Sequence, residues 1–164
     1  MIARVAIGSA LILLAGCEQA APDGRGERAG VTDTVYQVSA DDAEMEAAKR
    51  QALAGLPDFY RRLADPAADE TEFMVKFDIL PGEDDEYVWA GELDRSSTPM
   101  TGRLMNQPEA TDHQLGQRVP IPEADIIDWS YRKGRVTQGG LTSRALLRHM
   151  PPEDAAEMRN HLGW

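Results

Sequence analysis

The chain reads Phe73-Met74-Val75-Lys76-Phe77-Asp78 and then, after a short break, Tyr87-Val88-Trp89-Ala90-Gly91. In the first run Phe73, Val75 and Phe77 alternate with less apolar residues. This period of two is typical of β-strands, whose successive side chains point to opposite faces of a sheet. Pro81-Gly82 lies between the runs, where glycine tolerates the positive φ of a tight turn. The two runs therefore predict an antiparallel hairpin, and this hairpin decides the fold class.

Helical and strand signals flank the hairpin on both sides. Towards the amino terminus, we expect a short strand at 35–38, a helix that Ser39 and Asp42 cap and that Gly55 and Pro57 end, and a second helix over 57–64. Further strands are expected near 100–105, within 117–131 and at 135–138. Thr142 or Ser143 caps a following helix, and Pro152 begins a last one. The prediction is an α+β fold with N-terminal helices packed on a twisted antiparallel sheet and a short C-terminal helical segment.

Residues 1–16 have the layout of a secretory signal: a short basic start followed by an apolar core. The core ends in Leu14-Ala15-Gly16-Cys17, which resembles a bacterial lipobox, and Cys17 is the only cysteine of the chain. We expect residues 1–16 to be a lipoprotein signal peptide and the Cys17 thiol to carry a diacylglycerol. Two or more acyl chains anchor a protein stably to a bilayer. The alternatives are an ordinary signal peptide and an uncleaved, buried thiol.

Residues 17–33 are rich in Ala, Pro, Gly, Arg and Glu and contain Val31 as their only large aliphatic residue. Such a composition does not bury enough apolar surface to fold, so we expect a flexible tether. A single domain then occupies residues 34–164. Glu18 differs from the aspartate that usually retains Gram-negative lipoproteins in the inner membrane. The expected location is therefore the cell envelope, lipid-anchored, on the periplasmic face of the outer membrane.

The formal net charge of the chain is −11, and loss of Arg4 with the signal peptide makes it one unit more negative. An acidic surface repels nucleic-acid phosphates, so we expect no nucleic-acid partner. The expected partners are the membrane, through the lipid anchor, and an unknown envelope protein or ligand.

No sequence motif specifies a reaction. The chain lacks a G-x-S-x-G motif, its three histidines are too widely spaced for H-E-x-x-H, and Gly139-Gly140 lacks the lysine of a phosphate loop. We expect no metal and no cofactor. Glu86 and Asp128 remain as a possible carboxylate pair, because each adjoins a tryptophan and an apolar wall raises a carboxyl pKa. The alternatives are that Asp128 binds backbone groups or Arg144, and that Glu86 is solvated at a strand start.

Six different short motifs follow one another along about half of the chain. They are Phe73-x-Val75-Lys76, Glu86-x-x-Trp89, Gly102-x-Leu104-x-Asn106-x-Pro108, Gly116-x-x-Val119, Asp128-Trp129-x-Tyr131 and Gly140-x-Thr142-x-Arg144. The set resembles the YegJ-like bacterial domain of unknown function. The chain departs from that pattern at Tyr87, Ser130 and Leu141. The resemblance implies an α+β domain on an antiparallel sheet, found in small secreted or lipid-anchored proteins, and implies no activity.

These observations predict a lipid-anchored envelope protein that acts as a non-catalytic binding or interaction module. The alternative is an envelope hydrolase that uses a carboxylate pair. The residues of the candidate binding face are Lys76, Glu86, Trp89, Asp128 and Arg144. Lys76 either lies over neighbouring side chains or pairs with Glu86 on the adjacent strand. Trp129 is expected in the core on one face with Ile127, opposite Ile126 and Asp128.

Overall fold

The computed structural model describes residues 42–82, 85–109 and 111–164. The elements are α1 (Ala43–Ala64), β1 (Glu70–Asp78), β2 (Tyr87–Asp94), β3 (Met100–Leu104), β4 (Arg118–Ile121), a 3-10 turn (Glu123–Asp125), β5 (Ile126–Lys133), β6 (Val136–Gly139), α2 (Leu141–Leu146) and α3 (Pro152–Leu162). The predicted signal peptide, Cys17, the tether and the strand at 35–38 lie outside these residues. Within the described part of the chain, no helix is long and apolar enough to cross a membrane.

One continuous helix, α1, precedes the sheet, so the prediction of two helices divided at Gly55 and Pro57 was wrong. Asp42 is the N-cap, and its Oδ1 accepts from the N–H groups of Glu44 and Met45, each 2.9 Å away. Pro57 removes one backbone donor, but Leu56 and Phe59 on either side of it are buried. Packing of these side chains outweighs the missing hydrogen bond, and the helix continues through the proline.

The six strands form one sheet in the order β4-β3-β2-β1-β5-β6, with every neighbouring pair antiparallel. The predicted hairpin is confirmed as β1 and β2, in which Val75 is opposite Ala90 and Phe77 is opposite Val88. These four positions belong to the hydrophobic core. The fold is therefore α+β and built on an antiparallel sheet, as the alternation in the hairpin predicts.

Three bulges interrupt the strand pairing. Glu72 in β1 and Glu92 in β2 are the bulged positions of their strands and have positive φ values of 52° and 45°. The third bulge is in β5. Lys76 and Phe77 are consecutive residues of β1, but they pair with Asp128 and Ile126 of β5, which leaves Ile127 without a direct partner. An extra residue in one strand exchanges the faces of the sheet on which the side chains beyond it lie. Ile126 is consequently in the core, and the prediction that it lies opposite Trp129 was wrong.

The short connection from β4 to β5 shows that the sheet is strongly curled. Ile121 ends β4, which is an edge strand of the sheet. Ile126 begins β5, which is the fourth strand away from β4 in the order of the sheet. Four strand spacings amount to about 19 Å in a flat sheet. Five residue steps reach at most about 18 Å, and the 3-10 turn shortens that reach. The edge strand β4 must therefore approach the start of β5, and the bulges provide the necessary bending.

The carboxyl-terminal helices follow β6. Helix α3 begins at Pro152, as predicted, whereas α2 begins at Leu141 with Gly140 as its N-cap in the left-handed conformation. Thr142 does not cap this helix, because its N–H and hydroxyl bind the Asp128 side chain instead. A tertiary contact has replaced the predicted local cap.

Candidate functional site

Trp89, Lys76 and Asp128 lie directly opposite one another on the three central strands. Lys76 of β1 pairs with Trp89 of β2 and with Asp128 of β5. Paired residues in antiparallel strands share a face of the sheet, so their side chains are neighbours. Asn106 fixes the backbone at one end of the row, because its Oδ1 accepts from the Trp89 N–H at 2.7 Å. The structure thus brings together three of the five residues of the predicted binding face.

Lys76 is at the centre of this row. Its Nζ is 5.9 Å from the centroid of the Trp89 ring, at the outer limit of a cation–π contact. Burial lowers the pKa of Lys76, the Asp128 carboxylate opposes that change, and the positive charge of Lys49 adds to it. The ion pairs of the described residues do not include one between Lys76 and Glu86. Of the two alternatives for Lys76, the contact with the neighbouring Trp89 side chain is therefore the one seen in the described residues.

Asp128 is fully buried and has several hydrogen-bond partners. Its Oδ2 accepts from the N–H and the hydroxyl of Thr142, each at 2.7 Å, and its Oδ1 accepts from the Trp129 N–H at 2.8 Å. Burial raises the pKa of Asp128, although these hydrogen bonds act in the opposite direction. Asp128 therefore joins the start of α2 to β5. Of the alternatives for this residue, the structure shows the one in which Asp128 binds backbone groups.

Lys49 and Tyr87, which were not among the predicted site residues, lie beside this row. Lys49 Nζ is 3.1 Å from the Tyr87 hydroxyl, 4.7 Å from the Tyr87 ring centroid and 3.0 Å from Glu46 Oε1. The Tyr87 hydroxyl in turn donates to Asp85 Oδ2 at 2.7 Å. Residues 49 and 87 are 38 positions apart in the chain, and only the packing of α1 brings them together. No local pattern in the sequence indicates this contact.

Glu86 lies away from Asp128. Its Oε1 accepts from the Glu109 N–H at 2.6 Å, and its backbone oxygen accepts from Ile79. Asp128 is level with Trp89 and two strands away from β2, while Glu86 is three residues before Trp89. In a flat sheet, strand spacing and rise would place the two backbones about 14 Å apart. The two carboxyl groups have different hydrogen-bond partners: the Glu109 N–H for Glu86, and Thr142 and Trp129 for Asp128.

Arg144 is held at another position, by β6 and the C-terminal residue. Its guanidinium carbon is 3.8 Å from the centroid of a Trp164 ring, and its nitrogens donate to the backbone oxygens of Gly139 and Thr137 at 3.0 and 3.1 Å. The Trp164 indole also donates to Thr137 at 2.8 Å. Arg144 therefore links Trp164 to the backbone of β6.

The surface of the described residues includes depressions at the two ends of the helical layer. One lies at the end of α1 and includes Arg62 and Glu70, and the other lies between α1 and α2 and includes Arg144. Neither contains Lys76, Glu86, Trp89 or Asp128. Over residues 42–82, 85–109 and 111–164, no group of three or more His, Cys, Asp or Glu side chains is arranged to hold a metal ion.

Comparison with known proteins assigns the family. A family model described as an uncharacterized protein conserved in bacteria (DUF2314) matches residues 42–164. The uncharacterized protein YegJ of Escherichia coli K12 is 31% identical over 133 residues, which cover 80% of this chain and 86% of YegJ. A putative ankyrin repeat protein of Neisseria meningitidis serogroup B is 28% identical over 132 residues, which cover 75% of this chain and 52% of that protein. No solved structure matches. The chain belongs to the DUF2314 family of uncharacterized bacterial proteins.

Proposed function

We propose that this protein is a lipid-anchored component of the bacterial cell envelope that acts as a non-catalytic binding module. Its binding surface is centred on Lys76 and Trp89. The observation that carries the proposal is their direct cross-strand pairing, which places a cation and an indole side by side on one face of the sheet. Aromatic side chains beside cations are common at binding surfaces, where they provide large contact areas and charge recognition.

Asp128 and Glu86 support a binding role over a hydrolytic one. The Asp128 carboxylate is enclosed and accepts hydrogen bonds from Thr142 and Trp129. A general acid or base must reach the substrate within about 3 Å. A carboxylate that structural donors surround is poorly placed for that task, and the Glu86 carboxylate accepts a hydrogen bond from the Glu109 N–H.

The anchoring part of the proposal rests on Leu14-Ala15-Gly16-Cys17 at the end of an apolar segment. Cys17→Ser removes the thiol that lipidation requires. We expect the wild-type chain in the membrane fraction with incorporated acyl label, and Cys17→Ser either uncleaved after Gly16 or released from the membrane. Identical fractionation and labelling of the two proteins would contradict the anchor.

The binding part is tested by affinity capture and cross-linking in the envelope with the full chain. Lys76→Glu and Trp89→Ala should each abolish a partner band that the wild type gives. Leu53→Ala is the matched control, because Leu53 is an exposed apolar residue of α1, 45% accessible. This variant should retain the band. If Lys76→Glu and Trp89→Ala both retain the same band, the partner does not bind to the face of the sheet that carries Lys76 and Trp89.

A further inference from the structure

Strand β6 is an edge of the sheet that the described residues form, so only β5 pairs with it there. Lys133 and Val136 pair directly across the hairpin turn and are a hydrogen-bonded pair. Thr137 and Gly139 therefore belong to the alternate pairs, whose backbone N–H and C=O groups point to the open side of β6. An open strand edge is a template for pairing with another chain, and proteins commonly cover or interrupt it.

The opposite edge strand, β4, is interrupted by its own sequence. Pro120 lies in this strand opposite Thr101 of β3, and proline has no backbone N–H to donate. Proline is tolerated on an edge strand and weakens pairing with a further strand. Strand β6 reads Val136-Thr137-Gln138-Gly139 and contains no proline. Protection of its open side therefore depends on groups from other parts of the chain.

Arg144 and Trp164 occupy the open side of β6. The Arg144 guanidinium donates to the carbonyl oxygens of Thr137 and Gly139 at 3.1 and 3.0 Å. The Trp164 indole donates to the same Thr137 oxygen at 2.8 Å, and the guanidinium carbon is 3.8 Å from the centroid of a Trp164 ring. The indole also lies against Gly140, where an added Cβ would be 3.1 Å from Trp164 Cζ2. Both carbonyl groups that a further strand would need as acceptors are therefore already bound.

The backbone just before Trp164 fits closely against the start of β6. Gly163 has a φ of 73°, and a Cβ added there would collide with the Arg135 carbonyl oxygen and lie 3.2 Å from Val136 Cα. Arg132 of β5 donates to the backbone oxygen of His161 at 3.1 Å. These contacts fix the end of α3 beside β6 and so hold the indole in place.

We propose that Arg144 and Trp164 form a cover that prevents β6 from pairing with β6 of a second copy of this chain. A two-fold axis beside β6 would bring the two strands together antiparallel, which is the direction of every strand pair in this sheet. Thr137 and Gly139 of one copy would then face the same residues of the other, and each strand would supply both donors and acceptors. Loss of the cover therefore joins two sheets across a dimer. This inference is independent of the binding face at Lys76 and Trp89.

The test measures the mass of the full chain by analytical ultracentrifugation over a range of concentrations. A density-matched detergent and about 0.15 M salt are used, because salt screens the repulsion between two acidic chains. The wild type should keep one mass at every concentration. The double variant Arg144→Ala with Trp164→Ala should show a mass that rises with concentration towards about twice the wild-type value, as a two-fold dimer requires. Amide hydrogen exchange of residues 136–139 should slow as the mass rises, because association covers the open side.

Arg148→Ala is the matched control, because Arg148 is an exposed arginine that follows α2 and binds Glu44 instead of β6. It should keep the wild-type mass. Thermal unfolding shows whether each variant is folded. If the double variant does not fold, Trp164→Phe with Arg144→Lys takes its place, since these changes keep bulky side chains but remove the indole donor and the guanidinium.

Three outcomes would each overturn the proposal. The first is a folded variant whose mass does not change with concentration. The second is equal association of Arg148→Ala. The third is association that leaves hydrogen exchange at residues 136–139 unchanged, because the two copies would then meet through another surface.

Discussion

The Trp129 indole N–H donates to the carbonyl oxygen of Ala52 at 2.8 Å, across 77 positions of the chain. This hydrogen bond joins β5 to the middle of α1. The ring lies beside Gly55, where an added Cβ would be 2.8 Å from Trp129 Cζ2, and its centroid is 5.4 Å from that of Phe59. The helix therefore packs on the sheet at this point because Gly55 leaves room for the indole.

Trp129→Ala should destabilise the domain by about 3 to 5 kcal/mol, because it removes a large packed ring and leaves a cavity. Trp129→Phe keeps most of the ring and loses the hydrogen bond to Ala52, so its cost should be about 1 kcal/mol. Chemical denaturation of the two variants measures both values. A Trp129→Ala protein that unfolds at the wild-type midpoint would contradict the packing role and move Trp129 to the binding surface.

Gly139→Ala should be far more damaging than Gly134→Ala. Both glycines have positive φ values, 72° and 58°, so each alanine has a backbone cost of about 1 to 2 kcal/mol. A Cβ at Gly139 also collides with the Trp129 backbone oxygen and lies 2.7 Å from Trp129 Cε3, whereas nothing lies within 4 Å of one at Gly134. Overpacking adds about 1 to 3 kcal/mol at Gly139. Equal melting temperatures for the two variants would show that the contact with Trp129 is absent.

Asp128→Asn should destabilise the domain by about 1 to 3 kcal/mol. The amide NH₂ group cannot accept, so it leaves a buried donor of Thr142 or Trp129 unsatisfied. Thr142→Val removes only the hydroxyl contact and should cost less, about 1 kcal/mol. Denaturant titrations of the pair measure this order. A larger loss in Thr142→Val would mean that the Asp128 carboxylate is not the centre of this network.

The charge of Asp42 should stabilise the protein at neutral pH and cease to do so in acid. The N–H of Met45, the N–H of Glu44 and His149 lower the pKa of Asp42 in the folded protein. A lowered carboxyl pKa contributes stability above the unfolded value of about 3.9, and this contribution is lost as the pH falls through the folded value. Asp42→Asn keeps a capping oxygen without the charge.

Melting temperatures of the wild type and Asp42→Asn should therefore differ at pH 6 and converge as the pH falls below about 4. Leu53→Ala is a useful control, because Leu53 is an exposed residue of α1 and this substitution changes no ionisable group. Its difference from the wild type should not change with pH. A difference between wild type and Asp42→Asn that stays constant with pH would contradict the stabilising charge.

Local sequence patterns were sufficient to predict the β1–β2 hairpin, the start of α3 at Pro152 and the α+β class. Each of these depends on neighbours in the chain: the alternation from Phe73 to Phe77, a glycine in the turn, and a proline whose φ suits the first helical position. The ordered motifs likewise placed the chain among YegJ-like proteins, and the family match confirms that assignment.

Tertiary contacts decided what these patterns could not. Helix α1 continues through Pro57 because buried side chains on both sides outweigh one missing hydrogen bond. Ile126 reaches the core because a bulge at Ile127 changes the register, and Thr142 binds Asp128 instead of capping its own helix. Lys49 reaches Tyr87 only through the packing of α1. Cross-strand register and packing join residues that are dozens of positions apart, and no short stretch of sequence contains that information.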